Sequence, residues 1–204
     1  MIGIINYGSG NVGAIANIYK QLKVDHFISS DVAELASADR FILPGVGAFD
    51  ATMQNLIQSG LLAMLNEEVL GKRKKILGIC VGMQILAESS EEGVLAGLGW
   101  IRGRVRKIDI SNIASVLKLP HMGWNSLTSM ADHALFEGVE VDTGFYFLHS
   151  YFFDAASQDD VLASVTYGSE IPCAVARGNI FGVQFHPEKS HHNGVAIFRN
   201  FASI

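Results

Sequence analysis

The sequence predicts an α/β fold: a central mixed sheet, mostly parallel, with an antiparallel edge and helices on both faces. Three observations predict it. In the first half, short apolar runs alternate with stretches of helical periodicity, the pattern of βαβ units. In the second half, strand-like runs follow one another closely, with turn residues between them. The chain has 204 residues, of which 49% are hydrophobic and 17% charged, enough to bury a large core without staples and too apolar for a disordered chain. One domain over residues 1–204 is the expectation.

The elements follow in order. Ile2–Asn6 reads as a short buried strand, then Tyr7-Gly8-Ser9-Gly10 as a turn. Val12–Leu22 carries Ile15, Ile18, Tyr19 and Leu22 at helical spacing. His26–Ser29 and Arg40–Leu43 read as strands, the second ending at Pro44. Ala51–Leu70 is helical with a break at Gly60; Lys75–Cys80 is a strand and Gly82–Ala87 begins a helix. In the second half the strands are Ile101–Ile108, Trp124–Leu127, Gly144–Leu148, Val161–Thr166, Cys173–Arg177 and Ile180–Phe185. Arg177-Gly178-Asn179 marks a hairpin between the last two. A final helix runs from about Ser190 to Phe201, with Val195, Phe198 and Phe201 for its buried face.

Composition removes several classes of function. A net charge of −5 speaks against a strongly cationic nucleic-acid binder. Two cysteines, Cys80 and Cys173, make no disulfide scaffold. No apolar run reaches the roughly 18 residues of a membrane span, and the start lacks a basic region followed by a long apolar stretch. A reducing, cytoplasmic setting is expected. No cofactor is expected either. The glycine-rich run Gly8-Ser9-Gly10-Asn11-Val12-Gly13 does not fit a nucleotide-binding fingerprint, and no phosphate loop occurs.

The sharpest local signal is Gly78-Ile79-Cys80-Val81-Gly82 between an apolar strand and a helix. That is the arrangement of a nucleophile elbow, where the central side chain stands on a strained strand-to-helix turn and the glycines permit close backbone approach. A following helix N-terminus would favour thiolate at Cys80. The N–H of Val81 would face an oxyanion. A buried structural cysteine is the other reading, and it is the one adopted for Cys173.

A thiol nucleophile needs a base, and the base needs an orienting partner. His186-Pro187-Glu188 offers both, because a carboxylate two residues on can fold back to one imidazole nitrogen. His149 is the rival base, also at a strand end but without a carboxylate at a useful offset. His191-His192 reads as surface rather than metal-binding, since no cysteine or carboxylate framework accompanies it. His121 and His133 belong to no constellation, and His26 opens a strand.

Taken together, Gly78–Gln84 and His186-Pro187-Glu188 resemble the class I (triad) glutamine amidotransferases. Five further segments are similar to the HisH family, the glutaminase subunit of imidazole glycerol phosphate synthase: Asn6–Asn11, Leu43–Phe49, Pro120–Asn125, Tyr146–Tyr151 and Phe185–Ser190. The stretch Ser115–Leu119 is less basic than in that family. The resemblance implies a flavodoxin-like three-layer sandwich. It implies that Cys80 attacks the glutamine carboxamide, that His186 shuttles protons and that Glu188 orients His186. It implies an oxyanion strand at Gly45, Val46 and Gly47, and glutamine held by Gln84 and the backbone of His149, Ser150 and Tyr151. It places Asn11, Trp124 and Lys189 near a partner, a HisF-like (β/α)8-barrel cyclase forming a heterodimer. Ammonia passed to that cyclase would yield imidazole glycerol phosphate and aminoimidazole carboxamide ribotide in histidine biosynthesis. The alternative is a paralogous glutaminase that feeds a sugar-modifying synthase in surface-polysaccharide biosynthesis.

Overall fold

The computed structural model of the chain describes residues 1–111 and 117–204. The first half supplies β1 (Ile2–Ile5), β2 (His26–Ser29), β3 (Arg40–Gly45) and β4 (Lys75–Cys80). Between them lie α1 (Val12–Gln21), α2 (Val32–Ala36), α3 (Phe49–Gln58) and α4 (Leu62–Leu65), and α5 (Val81–Gln84) follows β4 directly. The second half supplies β5 (Ser89–Ser90), β6 (Gly103–Lys107), β7 (His121–Asn125), β8 (Leu127–Met130), β9 (Phe145–His149) and β10 (Tyr151–Ala155). Then come β11 (Val161–Tyr167), β12 (Ser169–Arg177), β13 (Ile180–Val183) and α6 (His191–Ser203).

Among the described residues, the main sheet has eight strands in the order β2-β1-β3-β4-β13-β12-β11-β8. It is parallel from β2 to β13 and antiparallel from β13 to β8. The parallel centre and antiparallel edge agree with the sequence reading. Strands β1, β4 and β13 are buried almost throughout, as strands covered on both faces must be. Two smaller sheets stand beside it: β10-β6-β5, and the antiparallel pair β7-β9.

Local sequence accounts for most elements. The Asn11 side chain caps α1 by accepting from the Ala14 N–H at 3.1 Å, and Ile15 and Tyr19, four apart, form its buried stripe. The hairpin at Gly178-Asn179 is present, with Arg177 opposite Ile180 and Gly178 at φ +62. Its Asn179 amide also donates to Val69 O and Lys74 O, tying the turn to the start of β4.

Several boundaries differ from expectation for visible reasons. β3 runs through Pro44 to Gly45 rather than stopping before it. The segment Ala51–Leu70 breaks near Gly60 as expected, but it starts earlier, at Phe49, and ends in a π-helical turn, Asn66–Gly71. There Glu68 is buried and held by Lys72 and Lys74. The helix expected from Gly82 to Ala87 is a single turn, Val81–Gln84, because the returning chain takes the carbonyls beyond it: Ile101 N–H bonds Leu86 O, and Gly99 N–H bonds Ala87 O. The strand expected at Trp124–Leu127 is two strands. β7 leaves to pair with β9, while β8 joins the edge of the main sheet. β5 and β10 are strands beyond those expected from the sequence. On α6 the buried residues include Ile197, Phe198 and Phe201, whereas Val195 is only half-buried. Ser115 and Val116 of the less basic stretch lie outside the described residues.

Candidate active site

Two neighbouring parallel strands bring the principal residues together. β4 and β13 pair with Ile79 opposite Val183, so Cys80 at the end of β4 is level with Gln184 just past β13. The Gln184 amide nitrogen lies 3.8 Å from Cys80 Sγ. His186 follows two residues later, and its backbone N–H is fixed by Tyr146 O at 2.9 Å. Cys80 and His186, far apart in sequence, both line one cavity of about 370 Å³.

Cys80 sits at φ +56, ψ −113, a backbone region costing about 1–3 kcal/mol for a non-glycine residue. Close packing holds it there. A Cβ on Gly82 would lie 1.9 Å from Leu43 O, and one on Gly78 would lie 2.5 Å from Gly82 O. The glycines of the elbow are therefore required by contact with β3 and by contact within the turn.

His186 Nδ1 is 2.8 Å from Glu188 Oε1, and both side chains are buried. The fold-back expected from the two-residue spacing is present. Burial is the largest single influence on the His186 ring and lowers its pKa. The Cys80 thiol and the Glu188 carboxylate together outweigh it and raise the value to about 10. Thiol, imidazole and carboxylate in this order form a set able to carry nucleophilic acyl transfer.

His149 is not free to act as the base. Its Nδ1 donates to Tyr151 O at 2.8 Å and its Nε2 faces His121 at 2.9 Å. Burial, helped by the neighbouring His121 and His186, pushes its pKa down to about 3. It lines the cavity all the same, with Ser150 and Tyr151. Gln84 is buried beside them, donating to Tyr151 O at 3.1 Å and to Gln184 Oε1 at 3.0 Å.

Val46, Gly47 and Val81 also border the cavity, and Gly45 pairs with Cys80 in the sheet. The Val46 N–H does not point at open space. It donates to Ser9 Oγ at 2.9 Å, and Ser9 Oγ lies 3.2 Å from Val46 O. The Tyr7 hydroxyl bonds Pro44 O. The turn Tyr7–Asn11 is thus laid against the end of β3 and the residue after it, a contact that no local sequence pattern foretells.

Glu92 is a further residue that sequence reasoning misses. It borders the cavity, and one of its carboxylate oxygens accepts from the Phe49 N–H at 2.8 Å. Its only signal is a short acidic run, Glu91-Glu92, ahead of Gly93. Trp124 is exposed on β7 and stacks on His191, with 5.1 Å between ring centres. Lys189 borders the cavity and lies over the Tyr146 ring at 5.4 Å. Asn11 is exposed and engaged as the α1 cap. His192 pairs with Glu140 at the surface, 2.9 Å away. Cys173 is fully buried, and burial pushes its thiol pKa up, away from reactivity.

Comparison with known proteins is consistent across the chain. The family model of class I glutamine amidotransferases matches residues 4–204. The imidazole glycerol phosphate synthase subunit HisH of Leptospira interrogans is 50% identical over 204 residues, all of both chains. The subunit of the same name from Bdellovibrio bacteriovorus is 50% identical over 205 residues, again covering both chains entirely. Among solved structures, a glutamine amidotransferase from Thermotoga maritima has a TM-score of 0.62 at 18% identity, covering 98% of this chain and 82% of that one. That last likeness is one of fold. With a family match over nearly the whole sequence and relatives identical at half their positions, the chain belongs to the class I glutamine amidotransferases and, within them, to the HisH type.

Proposed function

We propose that this chain is the glutaminase subunit of an imidazole glycerol phosphate synthase, hydrolysing L-glutamine and passing the ammonia to a cyclase. The single observation that supports it most is that Cys80 and His186 line one cavity, with the buried Glu188 paired to His186, in a chain 50% identical to HisH subunits. Cys80 Sγ attacks the side-chain carboxamide. His186 gives a proton to the departing nitrogen, so ammonia and a glutamyl thioester result. Water then attacks the thioester, His186 takes its proton, and glutamate leaves as the thiol is restored. Glu188 holds the imidazole and steadies its cation. The N–H of Val81 is the expected oxyanion donor, joined by a donor from Gly45–Gly47 once the Val46 peptide leaves Ser9. Glu92 would meet the α-ammonium of glutamine. Gln84, with the backbone of His149, Ser150 and Tyr151, would hold the rest.

The outer face of β7 and β9 supports a partner beside this cavity. Met122 is 62% exposed and Trp124 45%, and Leu148 from β9 joins them. Val46, at the cavity rim, is 49% exposed. An apolar face of this kind, with Asn11 and Lys189 nearby in the proposal, suits a (β/α)8 cyclase barrel in a heterodimer. No helix among the described residues is long and apolar enough to cross a membrane, and a cytoplasmic place suits the reading.

The test uses amide-¹⁵N glutamine and a HisF-like cyclase with its nucleotide substrate. Transfer of the label into imidazole glycerol phosphate is the expected result. A glutamine-like electrophile should modify Cys80 and leave Cys173 untouched. Glutamine turnover without label in the cyclase product would point to another acceptor, such as a sugar-modifying synthase. Absence of both turnover and adduct would overturn the glutaminase reading.

A further inference from the structure

Behind the cavity, β7 and β9 face two imidazoles towards each other. His121 is 3% exposed and His149 5%, and His121 Nδ1 lies 2.9 Å from His149 Nε2. Two buried neutral imidazoles can meet this way only if one donates and the other accepts. The surrounding atoms decide which. Tyr151 O, a carbonyl, can only accept, so His149 carries its proton on Nδ1 and leaves Nε2 bare. His121 must then donate from Nδ1, which leaves its own Nε2 as an acceptor. The Asn125 amide nitrogen fills that place at 3.2 Å and also donates to Thr166 O at 3.0 Å. The second bond fixes the orientation of the Asn125 amide. Every donor therefore points one way, from Asn125 through His121 and His149 to Tyr151 O.

Packing holds the chain of donors rigid. The His121 ring is stacked between Phe147 and Tyr167, with centre separations of 4.7 and 4.1 Å. At the far end, Tyr151 O receives a second bond from Gln84, which also donates to Gln184, and Gln184 reaches Cys80. Leu148 O, one residue before His149, lies 4.0 Å from Cys80 Sγ. The string thus ends on the wall of the cavity that faces the nucleophile. Burial keeps both rings neutral under ordinary conditions, in agreement with this geometry.

We propose that Asn125, His121 and His149 form a fixed-direction hydrogen-bond chain that holds the 148–151 backbone in place, making His121 a positioning residue for glutamine although it does not border the cavity. The proposal rests on the glutaminase reading for its kinetic consequence and on geometry alone for its tautomers. His121 acts through His149, and its loss lets the wall relax without touching Cys80, His186 or Glu188. The effect falls on glutamine binding more than on the chemical step.

Two measurements test it. Long-range ¹H–¹⁵N spectra of the wild-type chain should show His121 and His149 both neutral and both protonated on Nδ1 near pH 7. An Nε2–H form at either ring overturns the chain of donors, whatever the protein's activity. Kinetics of the complex with its cyclase supply the second. His121→Phe keeps a ring in the stack and removes the donor; KM for glutamine should rise about tenfold, the scale of one net hydrogen bond, with kcat within about twofold. His121→Asn returns an amide N–H near the Nδ1 position and should recover most of the loss. Wild-type KM in His121→Phe, or no difference between the two variants, overturns the positioning role. A wild-type enzyme without glutamine turnover would refute the glutaminase reading and leave the spectra as the judge of the tautomers.

Discussion

β3 and β4 run side by side to the cavity, Gly45 opposite Cys80, and they end in opposite ways. Past the end of β4 the chain is locked. Gly82 lies so close to Leu43 O that no Cβ fits, and Cys80 is held at a positive φ by that contact. Past the end of β3 the chain is less closely packed. Gly47 has φ +94, a Cβ there would meet nothing within 4 Å, and Val46 is held chiefly through hydrogen bonds to Ser9. As the proposed nucleophile, Cys80 needs an unchanging position, because a misplaced attacking atom forfeits the gain from proximity. If the Val46 peptide supplies an oxyanion donor, as proposed, it needs to arrive only when an acceptor for ammonia is ready. A rigid Cys80 beside a peptide able to move would, on that proposal, separate presence of the site from activity of the site.

The largest expected effect is on the rigid side. Cys80→Ala should cut glutamine hydrolysis by on the order of 10⁴-fold or more, while synthesis from added ammonium by the complex survives. Wild-type turnover in that variant would remove the nucleophile from the locked strand. Next comes Glu188→Gln, with a loss of kcat smaller than that of Cys80→Ala and at most on the order of 10⁴-fold. It also has a pH signature. Folding raises the His186 pKa from 6.5 to about 10, so the folded state holds this proton more tightly than the unfolded one. The resulting stabilisation is complete below about 6.5 and is lost as pH climbs to about 10. Urea unfolding should therefore separate wild type from Glu188→Gln most below about pH 6.5, with the gap narrowing towards about pH 10. A gap that widens with pH would contradict the assignment.

A direct comparison of the two strand ends uses alanine. Gly82→Ala forces a methyl group onto Leu43 O and should cost about 3 kcal/mol, at the upper end of ordinary overpacking. Gly47→Ala meets no atom and bears only the positive-φ penalty, about 1–2 kcal/mol. Melting temperatures lowered equally by the two would erase the contrast between the locked and the less closely packed end. The smallest effect belongs to Ser9→Ala. Removing the hydroxyl frees the Val46 N–H and should raise glutaminase activity of the chain alone by up to about tenfold, the scale of one hydrogen bond, without raising the cyclase-stimulated rate. A basal rate at or below wild type would mean that Ser9 does not restrain this peptide.

The locked region is the more legible in sequence. Gly78, Cys80 and Gly82 announce an elbow because close packing leaves glycine alone at the flanking positions, and the two-residue step from His186 to Glu188 is short enough to imply contact. The parallel centre is equally clear, since β1, β4 and β13 are uniform apolar runs. What stays hidden depends on distant neighbours. Nothing local to Ser9 indicates Val46, which is 37 residues away. Glu92 reaches the cavity from the irregular segment between β5 and β6, which has no periodicity. α5 stops after one turn because segment 97–101 claims the carbonyls beyond it, a competition that no window around Gly82 reveals. His121 belongs to no constellation in the sequence, since its partner His149 is 28 residues on, across a strand pairing.

The pairing of β4 with β13 also governs when a working site can first exist. Ile76 to Ile79 meet Ile180 to Val183, a closure across about half the chain, while β1, β2, β3 and β4 pair among themselves much sooner along it. During synthesis the N-terminal units can therefore fold first, with Cys80 already at a strand end but without His186 or Glu188 beside it. Long-range parallel pairing is the slow event, because loop closure must precede any gain from the contacts. Until β13 has been made, the nascent protein thus carries the Cys80 thiol without the His186–Glu188 pair beside it. Cys80, His186 and Glu188 therefore first share one site when β13 pairs with β4.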